Sequence, residues 1–162
     1  MDELERLVAE AAVTRVLFDY CDLVDANRQA DVLELFTGNA VFDHGHGRVY
    51  RGRAELARMF RSLDDNLATS HHLSNVRVTV AGSEHARADS YVYAYHRRRL
   101  NHDTVHLWGR YADTLVLRDG RWLFASRALL AAAEDGVPPD AGFASRYALI
   151  ARAGRPDDGR AW

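Results

Sequence analysis

Lysine is missing altogether from this 162-residue chain, whose 21 basic residues are all arginine. Schiff-base catalysis and the phosphate-cradling lysine of P-loop enzymes are thereby excluded. Cys21 is the single cysteine, so neither an intrachain disulfide nor a cysteine metal cluster can form. Gly-x-Gly-x-x-Gly and Gly-x-Ser-x-Gly are both absent, which removes the usual dinucleotide and nucleophile-elbow signatures. No run approaches the roughly 18 uninterrupted apolar residues of a membrane span. The net charge is only −2, so no excess of one sign draws the chain to nucleic acid or to an anionic membrane. Residues 1–6 are acidic and lack a signal peptide's basic start and apolar core. A soluble cytoplasmic protein is expected.

What remains is 48% hydrophobic and 27% charged, the balance of a globular protein with room for one domain. Covalent catalysis has few candidates, which leaves acid–base chemistry by His, Asp and Tyr. The apolar residues of 2–24, including Leu17, Tyr20, Cys21 and Val24, fall on one helical stripe that ends at Asp25. A shorter helix is expected over 28–36, capped by Asn27 and broken by Gly38-Asn39. Residues 40–44 read as a strand, 45–47 as a turn and 48–50 as a return strand. Leu56, Phe60 and Leu63 then repeat at helical spacing over 53–63. From Ser70 the period becomes two, with long strands expected to 81, over 85–99, over 104–117 and, after the hairpin turn Asp119-Gly120, over 122–130. A short helix is expected near 143–151. Helices first and hairpin-linked strands after them describe an α+β domain. A curved antiparallel sheet wrapped by the helices would enclose a cavity, and a flat sheet is the alternative.

Several local sequences, taken in order, carry a resemblance. They are Val24-Asp25, Leu35-Phe36 followed by Ala40-Val41-Phe42-Asp43, Tyr50-Arg51-Gly52-Arg53, residues 69–75 (Thr-Ser-His-His-Leu-Ser-Asn), and Asp119-Gly120-Arg121-Trp122 with Arg127. Over residues 3–133 the chain resembles the cone-shaped α+β barrels of the nuclear transport factor 2-like superfamily, in particular its SnoaL-like branch. Scytalone dehydratase, bile acid 7α-dehydratase and hexachlorocyclohexane dehydrochlorinase show the most similar enzymatic patterns. The resemblance implies a domain over 1–133, with 134–162 as an extension packed on the domain or on a partner subunit. It implies that Asp25 and His71 pair inside the cone, with Tyr20 and His96 as further catalytic groups and Arg127 as a substrate contact. His44 stands where scytalone dehydratase has a tyrosine, and Val24 where it has another, so the substrate and reaction are not carried over.

The residues themselves support part of this. A carboxylate bonded to one imidazole nitrogen fixes the tautomer and leaves the other nitrogen as a general base. Strand alternation sends His72 to the face opposite His71. Tyr20 lies about 140° from Asp25 in helical projection, so catalysis and packing are equal readings for it. His96 shares strand parity with Ala88, Ser90 and Ala94, which leave space beside it. Phe42, His44, Tyr111, Asp113 and Arg127 are expected to contact substrate, a structural ion pair being the other reading for Arg127. His44-Gly45-His46 could seed a metal site, but no downstream carboxylate completes it. The expected function is a lyase or isomerase of dehydratase type with no cofactor and no metal. It would act on a small, largely apolar, cyclic or polyketide-like molecule as a homodimer or homotrimer. Polyketide cyclisation, a non-catalytic binding module, and a small subunit like those of ring-hydroxylating oxygenases are the alternatives.

Overall fold

The computed structural model describes residues 1–135. The expected helix over 143–151, and all but the first two residues of the expected extension, lie outside the described residues. Helix α1 (Glu3–Asp25) opens on a reciprocal cap: Asp2 accepts the Glu5 N–H, and Glu5 accepts the Asp2 N–H, both at 2.8 Å. Its buried residues Val13, Leu17, Tyr20, Cys21 and Val24 recur at turn spacing, so one stripe faces the sheet. Helix α2 is shorter than its sequence suggests, Gln29–Leu33 rather than 28–36. Asn27 does not cap it: that residue takes φ 53° and donates its side-chain amide to Asp64 at 2.9 Å. Phe36 is recruited instead by a strand, because its ring packs 4.9 Å from Phe124.

Strand β1 (Phe36–Asp43) therefore starts earlier than expected, and Gly38-Asn39 lies within it, inside a register irregularity between Phe36 and Val41. Strand β2 (Val49–Arg51), helix α3 (Gly52–Arg61) and a 3-10 turn (Ser62–Asp65) lead into β3 (Asn66–Ala81), β4 (His85–Arg98), β5 (Thr104–Arg118) and β6 (Arg121–Glu134). The last four form a meander of long antiparallel neighbours, and β1 joins β6 in parallel, giving the order β2-β1-β6-β5-β4-β3. The sheet is curved and unclosed, so the flat alternative is not the one adopted. On β4 the inward residues are Ala86, Ala88, Ser90, Val92 and Ala94, all buried. Their small volumes let α1 settle into the concave face and leave room for a cavity at its wider end. The convex face carries Tyr91 and Trp108, each more than 40% exposed.

Candidate functional site

The last turn of α1 delivers Asp25 to the inner face of β3. Thr69 and His71, two apart on that strand, point the same way, and both reach the carboxylate. Nδ1 of His71 lies 2.7 Å from Asp25 Oδ1, and the His71 backbone N–H donates to Oδ2 at 2.8 Å. Thr69 Oγ1 donates to Oδ1 at 2.9 Å. The His71 side chain keeps only 6% of its surface exposed. Burial acts to raise the Asp25 carboxyl, but the hydrogen bonds from His71 and Thr69 outweigh it and hold the group below the ordinary carboxylate value. With a proton on Nδ1 shared toward Asp25, Nε2 of His71 is the lone-pair nitrogen and faces the cavity.

His96 approaches from β4, its Nε2 3.4 Å from Nε2 of His71. The register explains this: Ala94 is the partner of His71, and His96, two residues on, sits diagonally across with no bulky side chain between. His96 is thus part of the site and not a solvent-facing strand end. His72 alternates outward, is exposed, and bonds Ser70 Oγ at 2.9 Å.

The cavity holds about 80 Å³ and opens to solvent at its mouth. Apolar walls come from Val24, Phe42, Met59, Phe60, Leu63, Leu107 and Leu129; His44, His71, His96, Tyr20, Tyr111 and Ser62 supply its polar atoms. Burial, reinforced by Arg48, pushes His44 down to about 4, and burial next to His71 pushes His96 down to about 4. Both are neutral imidazoles at pH 7. Tyr20 reaches the wall, yet it is 95% buried within a ring cluster of Phe36, Phe42, Phe60, Tyr111 and Phe124. Burial raises its hydroxyl to about 12, against the pull of Arg127, so it stays protonated at pH 7.

Two expected substrate contacts are corrected. Arg127 and Asp113 do not line the cavity; they bond one another through two contacts of 2.8 Å, with no exposed side-chain surface on either. Tyr20, Tyr111 and Phe124 enclose the guanidinium at 4.1–4.2 Å. Burial alone would lower the arginine, but Asp113 opposite raises it above its ordinary value; burial in turn raises the Asp113 carboxyl, against the pull of Arg127. These residues form the floor beneath the site. The His44-x-His46 spacing gives no shared face either, since residues 45–47 all take positive φ and put His46 in a turn. Among the described residues no three His, Cys, Asp or Glu side chains are arranged to hold a metal ion. Sequence reasoning missed Thr69, although its parity with His71 was there to be used, and the apolar wall from α3, β5 and β6.

The neutral imidazoles have a consequence for stability. His44 and His96 bind protons in the unfolded chain below the ordinary 6.5, but in the folded chain only near 4. Their contribution is present above pH 6.5 and is lost as pH falls toward 4. Replacing His44 by Phe is expected to flatten the fall in stability across that window, by at most about 1.4 kcal/mol per pH unit. Denaturant titrations of both proteins at several pH values check this, and parallel curves would refute it.

The profile of one family, described as a SnoaL-like domain, matches residues 5–128. No curated protein sequence matches the chain. Among solved structures, a candidate scytalone dehydratase from Novosphingobium aromaticivorans DSM 12444 superposes with a TM-score of 0.80 at 27% identity, over 86% of this chain and 94% of that one. The hexachlorocyclohexane dehydrochlorinase LinA-type3 from Novosphingobium barchaimii LL02 gives 0.74 at 17% identity, over 85% and 100%. A candidate aromatic ring hydroxylase, also from Novosphingobium aromaticivorans, gives 0.72 at 23%, over 80% and 90%.

Proposed function

Given that the chain belongs to the SnoaL-like domain family, within the nuclear transport factor 2-like superfamily, we propose that it is a lyase or isomerase of dehydratase type, working by acid–base catalysis on a small uncharged molecule. The observation that carries the reading is the 2.7 Å bond from His71 Nδ1 to Asp25 at the wall of an apolar cavity. In that arrangement His71 Nε2 removes a proton next to a carbonyl or a leaving group. Asp25 stabilises the imidazolium that forms. His96 and His44, neutral and inside the same cavity, offer N–H groups to a substrate oxygen, and Tyr20 offers a hydroxyl. The groups present can move a proton with no cofactor. Dehydration is the favoured reaction, because the Tyr20, Asp25 and His71 spacing resembles that of dehydratases; the same parts would serve isomerisation or cyclisation. A passive binding module or a filled partner subunit would leave Asp25 and His71 apart or the cone packed.

The test is a screen of hydroxylated cyclic ketones and related polyketide-like compounds, followed by absorbance or mass spectrometry. Loss of one water, or rearrangement without mass change, is expected in the wild type. Turnover abolished by a chelator and restored by a single metal would overturn the reading. Proton transfer through His71 would then not be the centre of the chemistry.

A further inference from the structure

Thr69 has no part in the acid–base step as described, yet it touches the carboxylate on which that step depends. Three donors converge on Asp25: Thr69 Oγ1 at 2.9 Å and His71 Nδ1 at 2.7 Å share Oδ1, and the His71 backbone N–H takes Oδ2 at 2.8 Å. The backbone bond anchors one oxygen only. About that anchor the carboxylate could still turn, and the second oxygen would then leave the plane of the imidazole. We propose that Thr69 is a positioning residue of the His71–Asp25 pair, its hydroxyl holding Oδ1 in line with Nδ1 and sharing that oxygen's negative charge. The proposal rests on the acid–base reading above.

The chemistry follows from the shared oxygen. A carboxylate oxygen that already accepts from a hydroxyl is a weaker base, so the shared proton stays on Nδ1 and Nε2 keeps its lone pair toward the cavity. Asp25 then works as a fixed anion and not as a second base. Ser70, between the two inward residues, points away toward His72 on the other face. The other titratable groups that interact with the pair are Cys21 on α1 and His96 on β4, and His96 in turn faces Arg98 on β4 and His44 just after β1. Thr69→Val leaves each of these in place, and its branched side chain suits a strand. A change in titration therefore reports the hydroxyl.

The experiment follows the Asp25 carboxyl by carbon-13 NMR and the His71 ring by nitrogen-15 NMR, in the whole protein without substrate. Thr69→Val is expected to raise the Asp25 titration midpoint by about one pH unit, as befits a lost hydrogen bond to a charged acceptor. The Nδ1-protonated tautomer of His71 should be less populated in the same protein. Thr69→Ser, which restores the donor, should bring both readouts back. If the Val protein does not fold, Thr69→Ala repeats the comparison. On a substrate found by the screen above, Thr69→Val should lower kcat about tenfold with KM little changed. An Asp25 titration that stays at its wild-type value in Thr69→Val, or moves equally far in Thr69→Ser, overturns the proposal. Normal turnover by a His71→Ala protein alongside the expected titration would instead overturn the acid–base reading.

Discussion

Replacing His71 by Ala is expected to lower kcat by roughly 10²–10⁴-fold, the usual contribution of a general base. KM should change far less, because a base acts mainly in the transition state. The fold should survive: Asp25 still accepts from Thr69 and from the backbone N–H at position 71, so no carboxylate is left without a partner. Asp25→Asn should cost a similar order, since an amide can hold the wrong imidazole tautomer and cannot stabilise the imidazolium. Combining the two changes should cost little more than the worse single one, as for groups that act as a unit. His72→Ala is the control. Its side chain lies on the outer face against Tyr93 and Ser70, and its loss should leave most activity. Steady-state kinetics of the four variants, with circular dichroism to verify folding, decide the matter. A dead His72→Ala beside an active His71→Ala would reverse the assignment.

The largest effect on stability is expected from breaking the Arg127–Asp113 pair. Both side chains are fully buried and doubly bonded, so removing one partner strands a charge at a cost of about 3–5 kcal/mol. Against a total stability of roughly 5–15 kcal/mol, that is a fifth of the whole or more. Arg127→Ala also empties the space enclosed by three aromatic rings. A fall in Tm of roughly 6–20 °C, or loss of soluble protein, is the expected result. Arg127→Lys should not rescue it, since an ammonium cannot reproduce the two-pronged contact. Arg127→Met with Asp113→Leu should regain most of the loss, because two apolar groups leave no unpaired charge. Calorimetry on the single and double variants checks this. Equal instability in the double variant would mean that the pair matters for more than its charges.

The contrast between these two pairs shows what a sequence can carry. Asp25 and His71 were legible because each sits at a locally determined place, a helix end and an inward strand position, and the family spacing joins them. His96 followed from parity with Ala94, and the outward His72 from the same rule. Arg127 was read as a substrate contact because its partner depends on a register that spacing does not reveal. From the Asp119-Gly120 turn, β5 and β6 pair regularly as far as Leu115 with Phe124, and then slip by one residue. That bulge turns Arg127 inward beside Asp113, on the same face as Phe124. A single-residue irregularity leaves no mark in composition or periodicity. Phe36 misled for a related reason, since its helical neighbours argued for α2 while a ring far along the chain claimed it for β1.

The parallel pairing of β1 with β6 also sets an order of events as the chain is made. Residues 36–43 emerge from the ribosome some eighty residues before their neighbour in the sheet, residues 124–128. Until then Phe36 has no partner in Phe124, and the meander of β3, β4 and β5 has nothing on which to close. Contacts this distant in sequence make folding slow and keep hydrophobic strands exposed while it proceeds. A nascent chain stopped before residue 121 would hold Asp25 and His71 but lack the floor beneath them. Its aromatic cluster would face solvent, a target for chaperones or for aggregation. The cavity is complete only once β6 has been made, since Leu129 is part of its wall.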